Sequence, residues 1–196
     1  MDLIYCVIDC SGSMADCALD TISGINTFVK NCNPNSKFSL FLFNSEFKKI
    51  YENKSIENIE PITTTIYRPH GATALLDAIG KTIKIAESFQ PTSWSDDSRT
   101  TIVILTDGHE NASKFYEKSY ITNVISNKKS FDWSFIFMGA NQDAVETAKE
   151  FNISGESALT FNKKNIKEAF FSASNAISRK TQNIEFSQTE RNISNC

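Results

Sequence analysis

Basic charge is in short supply in this chain. Twenty Lys and Arg stand against 23 Asp and Glu, a formal net charge of -3, whereas a protein that grips phosphate backbones needs a surplus of cations on one face. General nucleic-acid binding is therefore not expected, and the pairs Lys48-Lys49, Lys128-Lys129 and Lys163-Lys164 are read as solvated ends of helices or strands. No apolar run approaches the length that crosses a bilayer. The amino terminus also lacks a basic segment followed by a hydrophobic stretch and a cleavage site, so a cytoplasmic protein without membrane contact is expected. Glycine and proline are sparse, at 7 and 4, which excludes a fibre or a low-complexity chain. The five cysteines are odd in number and lack paired metal-type spacing, so reduced thiols are expected. A Gly-rich phosphate loop with its Lys is missing, as is a nucleophile elbow.

What the chain does have is an alternation of apolar runs and helical periodicities over 196 residues, enough for one domain with a substantial core. Ile4 to Ile8 is a continuous apolar run closed by Asp9-Cys10-Ser11-Gly12-Ser13, the pattern of a buried strand entering a polar loop. Leu19, Ile22, Ile25 and Val29 recur at helical spacing until Asn33-Pro34-Asn35. Phe38 to Phe43 predicts a second strand, and the short link Asn44-Ser45-Glu46 to Phe47 predicts a hairpin whose lysines suit an antiparallel edge. Residues 52–73 are polar and irregular, as in a functional loop. A second helix follows with Leu76, Ile79, Ile83 and Ala86 on one face.

Beyond a polar linker at 90–99, Thr101 to Thr106 predicts another buried strand, and it too stops in an acid, Asp107. A helix over 114–128, a strand over 133–138, a helix over 142–151, a strand over 158–161 and a helix with Ile166, Phe170, Ala173 and Ile177 complete the series. The expected class is α/β: a Rossmann-like, doubly wound, mostly parallel sheet with one antiparallel edge strand and helices on both faces. The domain is set at residues 1–180, with 181–196 as a C-terminal tail of weak periodicity.

The chemistry gathers at strand tips. Asp9-x-Ser11-x-Ser13 puts three oxygen-bearing side chains on alternate residues of an extended loop, while Cys10 faces the other way. Carboxylate and hydroxyl oxygens are hard donors that suit Mg²⁺ or Mn²⁺ better than zinc or copper. The same residues are also common turn formers, and Thr73, at the mouth of the second helix, reads equally as an N-cap. If the first strand is central and the 101–106 strand lies beside it where the winding reverses, Asp9 and Asp107 converge on one crevice.

Together these residues resemble the von Willebrand factor type A (vWA) domain, also found as the integrin I domain. Its metal-ion-dependent adhesion site (MIDAS) uses a D-x-S-x-S loop, a separate Thr and a separate Asp. Here they are Asp9-Cys10-Ser11-Gly12-Ser13, Thr73 and Asp107, in the family's order, with its Gly-Gly-Thr standing as Gly71-Ala72-Thr73. The stretch Phe137 to Asp143 is similar to that of small stand-alone bacterial and phage vWA proteins. The resemblance implies a complete site in which Ser11, Ser13 and Thr73 hold Mg²⁺ or Mn²⁺ directly, while Asp9 and Asp107 act through bound waters. It also implies a protein partner that offers an Asp or Glu carboxylate to the metal, and no enzyme activity.

Two rival readings remain. A metal-assisted phosphohydrolase would use Asp9 as nucleophile, as haloacid-dehalogenase-like enzymes do, but Ser11 stands where their general acid belongs. For it, only His70 and His109 remain as proton carriers, and both are read as bystanders. The second rival is the same fold used as a metal-free scaffold.

Overall fold

The apolar opening run becomes β1 (Asp2–Asp9) in the computed structural model, buried at every position. A strand covered on both faces needs apolar residues at both parities, which is why this one reads as an unbroken run. The structure describes residues 1–89, 98–140, 144–179, 181 and 183–195. Most of the linker expected at 90–99 therefore lies outside the described residues, as do Asn141 to Asp143 and Cys196.

β1 pairs in parallel with β2 (Lys37–Phe43), which pairs antiparallel with β3 (Phe47–Ser55). On its other side β1 pairs in parallel with β4 (Arg99–Thr106), and β5 (Trp133–Ala140) and β6 (Ala158–Phe161) continue outward, also in parallel. The order is β3-β2-β1-β4-β5-β6. The expected doubly wound sheet with one antiparallel edge is thus present. Its winding reverses between β1 and β4, so the crevice beyond their carboxyl ends is where such a sheet takes ligands. Ile8 lies level with Leu105, which brings the two strand tips side by side.

Alternation along β1 sorts the core into two layers. Ile4, Cys6 and Ile8 meet α1 (Ala18–Asn31), while Leu3, Tyr5 and Val7 meet α2 (Leu75–Ser88), α3 (Lys118–Lys129) and α4 (Ala144–Glu150). The first face also carries α5 (Ile166–Ser178), whose Phe170 meets Phe28 of α1 edge-on at 6.1 Å. Gly24 permits this close packing, since a Cβ there would fall 2.3 Å from the Phe170 ring.

The segment read from sequence as a tail contains a sixth helix, α6 (Gln188–Asn195). Glu190 pairs with Arg179 at 2.8 Å, and the Arg191 guanidinium donates to the carbonyls of Ala158, Gly155 and Glu156. Ile184 and Phe186 enter the core ahead of the helix, and the one large apolar residue within it, Ile193, is half exposed, so no apolar repeat marks it in the sequence. Among the described residues no helix is long and apolar enough to cross a membrane.

Candidate functional site

Asp9 ends β1 with its side chain fully buried, and both carboxylate oxygens are taken. Oδ1 accepts the Ser11 N–H at 2.7 Å, and Oδ2 accepts the Thr106 hydroxyl at 2.6 Å from the tip of β4. Burial pushes the Asp9 carboxyl above its ordinary value; the bonds from Thr106 and Ser11 pull it back, and the charge of Asp107 adds a smaller upward push. The loop that follows is tied to residues 67–71. The buried Tyr67 hydroxyl donates to Asp9 O at 2.6 Å, His70 N–H to Cys10 O at 2.9 Å and Gly12 N–H to Gly71 O at 3.0 Å. Gly71 sits at φ +76°, and a Cβ there would also fall 3.3 Å from Ser45 Oγ. Glycine meets both demands.

Thr73 is fixed through its backbone. Its N–H donates to Asn111 Oδ1 at 2.9 Å, and Asn111 N–H returns a bond to Thr73 O at 3.0 Å. It is not the cap of α2: Ala74 holds that position, without a side-chain bond. The loop carrying Asn111 is latched to α2 by two carboxylates. Glu110 accepts from Leu76, Ala112 and Ser113 N–H and from the Ser113 hydroxyl, while Asp77 accepts from Lys114, Phe115 and Tyr116 N–H. These bonds hold residues 110–116 out of a helix, so α3 starts at Lys118 rather than near 114.

At the centre, Ser11 Oγ and Ser13 Oγ lie 3.0 Å apart, and Ser13 Oγ donates to Asp107 Oδ1 at 2.6 Å. Gly108 lines the same notch: the position of a Cβ there is 3.4 Å from Thr73 Oγ1 and 3.8 Å from Ser13 Oγ. Ser11, Ser13, Thr73 and Asp107 therefore surround one small space, with Asp9 directly behind through Ser11 N–H. Among the described residues no three His, Cys, Asp or Glu side chains cluster as a metal site. An ion here would be held by hydroxyls with one carboxylate at hand, a donor set suited to a hard cation such as Mg²⁺ or Mn²⁺. Asp107 Oδ2 is paired with the Lys163 ammonium at 2.5 Å.

Lys163 overturns part of the sequence reading. Expected at a solvated end, it lies only 25% exposed by side chain, against Asp107 and 2.7 Å from Ser13 O. Lys128 is likewise engaged, with Glu87 at 2.6 Å. Sequence reasoning also missed Thr106, Tyr67, Glu110 and Asn111; only the polar run Asp107-Gly108-His109-Glu110-Asn111 after an apolar strand could have flagged the last two. His70 is held in place, with Nδ1 on Arg68 O and Nε2 facing the Asn44 amide, while His109 is exposed. The Arg68 carbonyl fixes the proton of His70 on Nδ1.

The family model of the von Willebrand factor type A domain matches residues 4–178. Among curated proteins none matches the chain. Solved structures share the fold at low identity. Proximal thread matrix protein 1 from the mussel byssus is 14% identical, with TM-score 0.63 over 88% of this chain and 45% of that one, and a structure of the same protein has a zinc-occupied MIDAS motif. A von Willebrand factor type A protein from Catenulispora acidiphila is 13% identical, with TM-score 0.64 over 89% of this chain and 42% of that one. The vWF domain of the type V pili tip protein Mfa5 from Porphyromonas gingivalis is 12% identical, with TM-score 0.67 over 95% and 97%. The chain thus spans under half the length of the first two proteins.

Proposed function

The chain belongs to the von Willebrand factor type A family, and on that footing we propose that it is a divalent-cation-dependent protein-binding module rather than an enzyme. Ser11, Ser13 and Thr73 would hold Mg²⁺ or Mn²⁺ through their hydroxyls, with Asp9 and Asp107 acting mainly through waters. A cation whose nearest ligands are neutral keeps unspent charge, and an Asp or Glu carboxylate of a partner protein answers it. The observation that carries this reading is the notch beside Gly108, where three hydroxyls and one carboxylate from three separate chain segments meet. Asp9 and its neighbours support it by holding the Ser11 backbone rigid, which keeps the oxygens in place without competing for the ion.

The phosphohydrolase alternative fares worse on geometry. A nucleophile must reach its target, and Asp9 is buried with both oxygens engaged. Relatives named for a byssal thread and a pilus tip favour a part in assembly. Among the described residues Cys6, Cys10, Cys17 and Cys32 are buried free thiols, in keeping with the cytoplasmic setting we propose.

Calorimetric titration of MnCl2 or MgCl2 into wild type and the Ser11→Ala/Ser13→Ala variant tests the metal step. We expect saturable binding in wild type and loss of at least about a hundredfold in affinity in the variant, the upper range for disturbing metal sites. Absence of binding in wild type, or equal binding in both, refutes the reading. Capture experiments with magnesium or chelator then identify partners as the proteins lost both on chelation and with the double variant.

A further inference from the structure

Lys163 comes from the far end of the chain, in the turn Lys163–Asn165 that leads into α5. The turn is held firmly: Asn162 Oδ1 accepts the Lys164 N–H at 3.1 Å, Asn165 N–H reaches Asn162 O at 2.7 Å, and Asn162 N–H reaches Ser194 O at 2.9 Å. From this base the ammonium contacts Asp107 Oδ2 and Ser13 O at once, at 2.5 and 2.7 Å. Burial opposes the ammonium's charge, and the Asp107 carboxylate outweighs that cost. A buried carboxylate left without a counter-charge is strongly destabilising. Lys163 supplies that counter-charge to Asp107.

We propose that Lys163 is a tethered competitor for the charge of Asp107, so that a divalent ion enters the notch against the ammonium and favours its release from Asp107. The inference rests on the metal reading above and concerns its regulation. Lys163 holds Asp107 Oδ2 while the Ser13 hydroxyl holds Oδ1, so a divalent cation entering the notch faces the ammonium across one carboxylate, and like charges that close repel. The lysine side chain is a compact charge on a flexible four-carbon stem, so it can leave for solvent without unfolding the turn. Affinity for the metal is thereby set below what the oxygen donors alone would give, and the empty site is not left with an uncompensated buried acid.

Titration of MnCl2 into wild type, Lys163→Met, Lys163→Gln and Lys164→Gln tests this, with thermal unfolding in chelator as the check on folding. Lys164 is exposed and adjacent, so its variant removes the same charge without touching Asp107. Both Lys163 variants should bind about tenfold tighter, equivalent to about 1.4 kcal/mol, while Lys164→Gln stays within twofold of wild type. In chelator Lys163→Met should melt below wild type, and saturating MnCl2 should close that gap. Unchanged or weaker binding in the Lys163 variants overturns the proposal and leaves the metal reading intact, as does an equal gain in Lys164→Gln, which would mark long-range electrostatics. If no variant and no wild type binds Mn²⁺, the metal reading falls and takes this inference with it.

Discussion

Replacing Glu110 with Gln tests whether the loop behind the site is built as described. Four donors close on the carboxylate: Ala112 and Ser113 N–H on Oε1 at 2.9 and 2.7 Å, and Leu76 N–H and the Ser113 hydroxyl on Oε2 at 2.9 and 2.7 Å. Glutamine keeps one acceptor oxygen. With that oxygen on the Ala112 and Ser113 side, its amide confronts Leu76 N–H, donor against donor, in the first turn of α2. An orphaned backbone N–H costs about 1–3 kcal/mol, and loss of the anion from a helix amino terminus adds about 0.3–1 kcal/mol. Glu110 is only half-buried, though Leu76 is buried, so a value inside these ranges applies, about 2 kcal/mol in all.

The pH dependence supplies the second half of this test. Burial opposes ionisation of Glu110, but the bonds from Ser113, Leu76 and Ala112 outweigh it and hold the carboxyl below its ordinary 4.5. A carboxyl depressed by folding stabilises fully above its unfolded value and loses that contribution as pH falls through the folded value. The gap between wild type and Glu110→Gln should thus be constant from neutral pH down to about 4.5 and narrow below it. Urea unfolding in chelator, repeated from pH 7 into strong acid, measures the gap. A difference under about 0.5 kcal/mol at neutral pH, smaller than one ordinary hydrogen bond, or a gap that persists unchanged in acid, refutes the assignment.

Two further outcomes follow from the same structure. Gly24→Ala should destabilise the domain by about 1–2 kcal/mol in denaturant melts, since overpacking against the buried Phe170 ring outweighs the helix-propensity gain of alanine; equal or greater stability would show that α1 and α5 can part freely. Because burial raises the Asp9 carboxyl and a nearby cation favours its ionised form, Mn²⁺ affinity should fall as pH drops through a window above the ordinary 3.8. A calorimetric affinity that stays flat from pH 7.5 down to the ordinary 3.8 would contradict that coupling.

The sheet was legible because its strands announce themselves. Ile4 to Ile8 and Thr101 to Thr106 are apolar runs that each stop in an acid, whereas the loop expected to run extended through Ser13 turns at Gly12 into a 3-10 helix, Gly12–Cys17, which carries Ser13. Thr73 was half legible: spacing could not say whether it caps α2, and the observed cap at Ala74 shows that it does not. The supports were hidden by distance. Thr106 looks like one more β-branched strand residue until its hydroxyl meets Asp9, 97 positions away. Asn111 and Glu110 act on Thr73 and Leu76, 38 and 34 positions back, and Lys163 reaches Ser13 across 150. Periodicity reports which face a residue shows, not which distant backbone it will serve. The helix over 188–195 escaped for a related reason, being fastened through Glu190 and Arg191.

That last helix also lies along one border of the sheet. β6 is the outermost strand on its side of the sheet, and a bare outer strand invites a neighbour's backbone to add to it. Here Arg191 takes the Ala158 carbonyl and Ser194 O takes the Asn162 N–H, so the rim is already spoken for. The family model's match ends at residue 178, ahead of this guard. A chain trimmed at residue 178 would lose both bonds, baring that border of β6 to an added strand and freeing the turn that carries Lys163.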